Sequence, residues 1–197
     1  MTAAAAAAGA EANVAEARGN SISCSMAHAR RRSGLLLSVL IGAALVLGVG
    51  TAAADCTDAA APKVNWHRCL QDGRALAGAD LSDAELRDAT FIRSDLSGAV
   101  LRNADAYRAK FVSAKLPGTV FDGARLIDSD FSRADLTGAS FRGADLRNAR
   151  MFNADLRQAN LSGAKLDRAD LRNAELGGAT WIDGTRICAE ASIGQCN

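Results

Sequence analysis

ADLRNARMFNADLRQANLSGAKLDRADLRNAEL, residues 144–176, carries a large apolar side chain at every fifth position from Leu146 to Leu176, with an alanine two places before each. A helix repeats every ~3.6 residues and a strand every ~2, so neither holds a five-residue pattern on one face. The pattern runs well beyond this stretch. From Arg74 to Asp183 the chain divides into 22 successive pentapeptides without insertion or deletion. Their central position, i, is Leu76, Leu81, Leu86, Phe91, Leu96, Leu101, Ala106, Phe111, Leu116, Phe121 and Leu126, then Phe131, Leu136, Phe141, Leu146, Met151, Leu156, Leu161, Leu166, Leu171, Leu176 and Trp181. Position i−2 is alanine from Ala79 onward except at Ser94, Thr119 and Ser129.

A chain that turns a corner every five residues keeps both the large i and the small i−2 side chain inside and turns the other three outward. Four corners close a 20-residue square coil, and stacked coils pair as parallel strands. The corner chemistry agrees. Pro117-Gly118 follows Leu116 in the order a type II turn prefers. Glycine or asparagine occupies i+2 in 12 of the 22 units, as a positive φ there would favour.

The units ADLTG (134–138), ADLRN (144–148 and 169–173), ADLRQ (154–158) and ANLSG (159–163) resemble the A(D/N)LXX motif of the pentapeptide-repeat family. The resemblance implies an all-β fold, a right-handed quadrilateral parallel β-helix. At roughly 4.8 Å per coil, about 5.5 coils make a rod of about 26 Å. Residues 20 apart should stack, placing Phe91, Phe111, Phe131 and Met151 in one internal column and Phe121 and Phe141 in another.

A solenoid exposes a coil at each end and needs caps. Residues 55–73, with Trp66, Cys56 and Cys69, are expected to form the N-terminal cap. The repeat region is taken as 74–183, and residues 184–197, with Cys188 and Cys196, as the C-terminal cap. Four cysteines allow three pairings, but disulfide partners need Cα atoms within about 6 Å. The length of the rod therefore favours Cys56–Cys69 and Cys188–Cys196. Zinc held by Cys69 and His67 is the competing use, weakly supported without a CxxC pair.

The even cysteine count also suits an oxidising compartment. Upstream, Met26 opens a basic run, Arg30 to Arg32, an apolar stretch, Leu35 to Val49, and Ala52-Ala53-Ala54. This layout reads as a secretory signal, residues 26–54, cleaved between Ala54 and Asp55. The competing reading is a retained membrane anchor over 34–54, just long enough to span. Residues 1–25 are either an N-terminal extension or the product of a mis-assigned start at Met1. The expected location is periplasmic or secreted, or anchored and facing outside the cytoplasm.

Chemistry is conspicuous by what is missing. His67 is the sole histidine after the signal, and no nucleophile elbow, Walker loop or HExxH occurs. The sequence therefore predicts a non-enzymatic protein without cofactor, metal or small-molecule substrate. Some pentapeptide-repeat proteins mimic DNA and bind gyrase, which requires an extended negative field. Residues 55–197 carry 19 basic and 20 acidic side chains. Their outward i−1 columns alternate in sign: Lys110, Asp130, Arg150, Asp170 beside Asp105, Arg125, Asp145, Lys165. That alternation and the signal disfavour gyrase mimicry, and no basic footprint marks a nucleic-acid binder. The alternatives left are a structural scaffold and a protein-interaction module. At i+1, Ile92, Val112 and Phe152 share one outer column and Tyr107 and Ile127 the next. Clustered apolar residues of this kind mark a candidate contact surface for a protein partner or a second copy, with Arg87, Arg147 and Arg172 as its rim.

Overall fold

The computed structural model describes residues 56–197. The signal at 26–54, its reading as an anchor, the cleavage point between Ala54 and Asp55, and residues 1–25 lie outside the described residues. Among those described, no helix is long and apolar enough to cross a membrane.

Parallel bridges link residues 20 apart without interruption from Asn65↔Glu85 to Asn160↔Thr180, giving a parallel β-helix with a corner at every pentapeptide. One corner shows the bonding. The N–H groups of Leu86 and Asp88 donate to the carbonyls of Asp105 and Tyr107 in the next coil, at 2.8 and 2.9 Å. The N–H of Asp105 donates back to Ala84 at 2.9 Å. The N–H of Ala89 donates to Leu86 at 3.1 Å and closes the turn. Such a turn needs a left-handed residue at i+2, and every i+2 from Lys63 to Gly178 has positive φ. Glycine meets this need at little cost, yet Arg93, Arg108, Ser113 and Asp128 adopt it too. For L-residues that conformation costs about 1–2 kcal/mol each, so the coil-to-coil bonds and the core impose it on them.

The helical register begins upstream of Arg74. Asn65, Leu70 and Ala75 already bridge to the next coil. Val64 and Cys69 occupy buried i−2 positions, and Trp66 and Gln71 buried i positions. Part of the segment expected to be only a cap is therefore coil. A polar Gln71 at i and Val64 and Cys69 in place of alanine conceal the motif. Gln71 is satisfied where it sits: its Nε2 donates to the Cys56 carbonyl at 3.1 Å, and Arg74 Nη1 donates to its Oε1.

Both local disulfides are formed. Cys56–Cys69 has a Cα separation of 5.3 Å, and Cys188–Cys196 one of 4.8 Å. The first removes Cys69 as a thiolate ligand for zinc. At the other end the chain leaves the repeat after Trp181, since Gly184 rather than Asp183 takes positive φ. It then returns antiparallel, bridging Ile187 to Thr180 and Ile193 to Glu175.

The interior is the column arrangement that the spacing predicts. Phe91 stacks on Phe111 at 5.1 Å between ring centroids, and Phe111 on Phe131 at 4.8 Å. Phe121 stacks on Phe141 at 5.0 Å. The two columns meet edge to face, Phe121 against Phe131 at 5.6 Å. The three exceptions to alanine at i−2 are fully buried but keep the small volume, and each hydroxyl finds a main-chain acceptor. Ser94 donates to Gln71 at 2.8 Å, Thr119 to Leu96 at 2.9 Å and Ser129 to Leu126 at 2.6 Å.

Ala139 is fully buried at i−2, whereas Thr137 faces outward two residues before it. Ala139→Leu should overpack the core and cost about 1–3 kcal/mol. Thr137→Leu should cost under about 1 kcal/mol, the worth of its exposed hydroxyl bond to Asp135. Urea unfolding of the two variants measures the difference; equal midpoints would contradict this register.

Candidate interaction surface

Outward positions divide into those that maintain the corner and those left free. Position i−1 belongs to the first group. The i+1 N–H takes part in neither the coil-to-coil nor the turn bonding, and an Asp or Asn at i−1 accepts it. Ser82 donates to Asp80 at 3.0 Å, Ser97 to Asp95 at 3.0 Å, Thr137 to Asp135 at 3.1 Å and Ser162 to Asn160 at 3.0 Å. In these four units the i+1 hydroxyl donates to the same oxygen. Where arginine stands at i+1 it closes a two-point contact with the carboxylate instead, as Arg147 does on Asp145 and Arg172 on Asp170. Arg157 grips Asp155 in the same way.

Reading i−1 simply as solvated misses this role. The signal was present in the sequence as Asp-Leu-Ser, Asp-Leu-Thr and Asp-Leu-Arg, spacings that suit Asx turns.

The alternating ladders form only in part. Arg125 reaches Asp105 at 3.3 Å and Arg150 reaches Asp130 at 3.7 Å. Exposed pairs of this kind contribute at most about 1 kcal/mol each. Shallow grooves beside them are lined by mixed charges: His67, Glu85, Arg87 and Asp88 in one, Arg108, Lys110, Asp128 and Asp130 in the other.

Against this polar lattice, Ile92, Tyr107, Val112 and Ile127 are half-buried and Phe152 is 37% exposed. The 20-residue register stacks Ile92 beneath Val112, and Tyr107 beneath Ile127, on adjoining columns. Ser132 separates Val112 from Phe152. Val112, Ile127 and Phe152 fall in units whose i−1 residue is Lys110, Arg125 or Arg150, side chains with no acceptor for a corner cap. The aromatic rings carry guanidinium groups: Arg87 and Arg125 lie 5.4 Å from the Tyr107 centroid, Arg108 6.0 Å, and Arg172 5.9 Å from Phe152. Of the expected rim, Arg87 and Arg172 lie over the patch rings while also pairing with Asp105 and Asp170, whereas Arg147 pairs with Asp145 and lies over no ring.

Two family profiles match the chain, "Pentapeptide repeat region" over residues 104–181 and "Pentapeptide repeats (8 copies)" over 79–118. Together they span more than half of it. No protein of curated function matches. Among solved structures, HetL, described as involved in heterocyst differentiation regulation in the cyanobacterium Nostoc sp. strain PCC 7120, is 32% identical over 62% of this chain and 68% of its own, with a TM-score of 0.44. A pentapeptide repeat protein of the Arabidopsis thaliana thylakoid lumen is 29% identical over 62% of this chain and 83% of its own, TM-score 0.39. Full-length QnrB1, a plasmid-mediated fluoroquinolone resistance protein, is 20% identical over 60% and 68%, TM-score 0.25.

Five corner carboxylates, Asp80, Asp95, Asp145, Asp155 and Asp170, titrate below their ordinary range. Hydrogen bonds from the Arg172 side chain and backbone, with the guanidinium charge, hold Asp170 at about 2. The Arg147 and Arg157 side chains lower Asp145 and Asp155. A carboxyl depressed in the folded state contributes stability above its unfolded pKa, and that contribution is lost as pH falls through the folded value. Thermal unfolding midpoints should therefore hold steady to about pH 4 and drop between about pH 4 and pH 2. Asp170→Asn keeps an oxygen for the Arg172 N–H, as Asn160 does for Ser162, but loses the ion pair. Its midpoint should fall less steeply across that window than the parent's, measured by circular dichroism. At Asp135, Asn should retain stability, while Ala leaves the Thr137 N–H uncapped and costs about 0.5–1.5 kcal/mol.

Proposed function

The chain belongs to the pentapeptide-repeat family, whose fold is the right-handed quadrilateral β-helix, and we propose that this member is an exported, non-enzymatic protein-interaction module of the envelope or exterior. The observation that carries the reading is the patch of Ile92, Tyr107, Val112, Ile127 and Phe152 on two adjoining sides of a rod whose other outward repeat positions are mostly polar or charged. Aromatic and aliphatic side chains bordered by arginine are the composition of interface centres. Arg87, Arg108, Arg125 and Arg172 would meet carboxylates ringing the apolar side chains of a partner. The repeat holds the patch on a rigid support, so binding would order little of this chain and retain most of its contact energy. Export is supported by the signal layout at 26–54 and by the two disulfides, which persist in an oxidising compartment.

Two measurements test the reading. The intact mass of the protein purified from its own host should correspond to a chain beginning at Asp55; retention of residues 34–54 would favour the anchor. Replacing Ile127 and Phe152 by serine should abolish capture of the partner that the unaltered protein retains from the envelope, with thermal unfolding nearly unchanged. A double variant that retains every captured protein would leave the rod as a scaffold only.

A further inference from the structure

The corner that carries Ile92 rises through four successive coils as Ile92, Val112, Ser132 and Phe152. The bridged residues Thr90, Lys110, Asp130 and Arg150 stand two places before them, one coil apart. At about 4.8 Å per coil the corner is a straight apolar ridge about 14 Å long, notched at Ser132. The neighbouring column of Tyr107 and Ile127 is shorter and less open, since the Arg87 and Arg125 guanidiniums lie over the Tyr107 ring.

Cations flank the ridge on both sides. Lys110 and Arg150 precede Val112 and Phe152 by two residues, and the left-handed Arg93 and Arg133 follow Ile92 and Ser132. All four are exposed. Arg150 reaches Asp130 at 3.7 Å, while Arg93, Lys110 and Arg133 form no ion pair. The ridge's own backbone engages the nearby carboxylates: Asp72 accepts the Ile92 N–H at 2.8 Å and Asp130 the Ser132 N–H at 2.9 Å. By contrast, Arg147, Arg157 and Arg172 are each neutralised by the aspartate of their own corner. Three cationic groups are thus left without a counter-charge beside a line of apolar side chains.

A partner lying along this ridge must match both its rise and its charge. An α-helix presents its apolar stripe once per turn, every ~5.4 Å, so three turns exceed three coils by under ~2 Å. An extended strand shows one face every ~6.8 Å and over three such steps drifts by more than a full coil. The cations repeat every second coil, Lys110 to Arg150 on one side and Arg93 to Arg133 on the other, a spacing of about 9.6 Å. Two helical turns cover about 10.8 Å, so carboxylates seven residues apart on each edge of the stripe reach both members of a row. A lipid surface fits less well. Ile92 and Val112 are half-buried and project too little to enter the acyl boundary, where apolar faces sink about 5–10 Å.

We propose that this corner is the docking ridge for an amphipathic helix of a partner protein, laid along the rod with its apolar stripe between two rows of Glu or Asp. The inference rests on the reading of the lateral patch as a protein-binding surface and specifies what binds there. One apolar side chain of the helix enters the notch at Ser132, between Val112 and Phe152. The two rows of charge fix its register and exclude helices edged by lysine.

The test uses protein purified from its host with both disulfides intact, and labelled peptides of about 15 residues, long enough to form a helix. The first carries leucines three or four residues apart with glutamate on both edges. The second has the same composition with leucine at alternate positions, and the third has lysine in place of glutamate. By fluorescence anisotropy the first should bind about tenfold or more tighter than the others, gain helical circular dichroism when bound, and weaken with salt. Lys110→Glu with Arg133→Glu should weaken it about tenfold or more, whereas Arg102→Glu with Arg142→Glu, on another corner, should leave it unchanged. Binding of none of the peptides, equal binding of the second or third, indifference to the Lys110 and Arg133 reversal, or tighter attachment to phosphatidylglycerol vesicles would each overturn the proposal. The peptide comparison needs no variant and decides even if a reversal fails to fold. An envelope partner that is lost on Ile127→Ser with Phe152→Ser, yet retained by the Lys110→Glu and Arg133→Glu protein, would sink the helix and leave the interaction module standing.

Discussion

A corner every fifth residue forces one residue per unit into the left-handed region, and the rest of the molecule follows from sustaining that conformation. Among the described residues, fifteen that are not glycine adopt it, including Lys63, Arg133 and Gln158. No local preference of lysine or arginine selects it. The turn bond from i+3 to i, the two forward bonds and the one backward bond hold each corner from both sides, while burial of i and i−2 makes slipping by one residue costly. A slip would bring Asp or Arg to the interior and send Leu or Phe into water, a loss of roughly 1.5–3 kcal/mol for each large apolar side chain before any charge is buried. Register is thus enforced collectively, and an isolated unit could not maintain it.

Of the five positions, the two that face inward were fully legible from the sequence. Leucine or phenylalanine at Leu86, Phe91 or Phe121 has one physical purpose, and alanine at Ala104 or Ala144 has one too. Even the exceptions obey: Ser94, Thr119 and Ser129 add only a hydroxyl, and a carbonyl lies within reach. The role of i−1 was harder to see because Asp serves two ends at once. An acidic residue on a surface reads as solvation, and its hydrogen bond to the N–H two residues on is visible only once the turn exists. The start of the helix was obscured for another reason. Val64, Trp66, Cys69 and Gln71 occupy inward positions with volumes that suit the end of a column, where the rule for its middle no longer applies.

The two ends solve the same edge problem differently. At the beginning, Trp66 tilts over Phe91 at 6.3 Å and the Cys56–Cys69 bridge fixes the entering chain. At the close, a single antiparallel layer tied by Cys188–Cys196 covers only the Leu176 and Trp181 sides. Gly177 shows how tightly it sits, since an added Cβ would lie 2.6 Å from the Glu190 carbonyl oxygen. Any side chain there would lift the layer from the coil. An exposed strand edge is a liability that proteins manage by charge, distortion or coverage, and on the Leu166 and Leu171 sides the outward positions of the last coil carry charge, Lys165, Asp167, Arg168, Asp170 and Arg172.

Because the repeat dedicates three of five positions to the backbone and core, information about partners can reside only where the pattern relaxes. Tyr107, Val112, Ile127 and Phe152 are such departures: none improves the corner, and Val112, Ile127 and Phe152 sit in units that have given up the Asp cap. A scaffold under selection for stability alone gains more from Ser, Thr or Arg at i+1, each of which binds the i−1 carboxylate, than from a half-exposed apolar side chain. The cap is forgone at Val100, Val120 and Ser140 as well, where i+1 is Arg102, Asp122 or Arg142, but at Lys110, Arg125 and Arg150 its loss coincides with the apolar i+1 side chains Val112, Ile127 and Phe152. That coincidence, more than hydrophobicity by itself, separates a surface shaped for contact from one shaped for water.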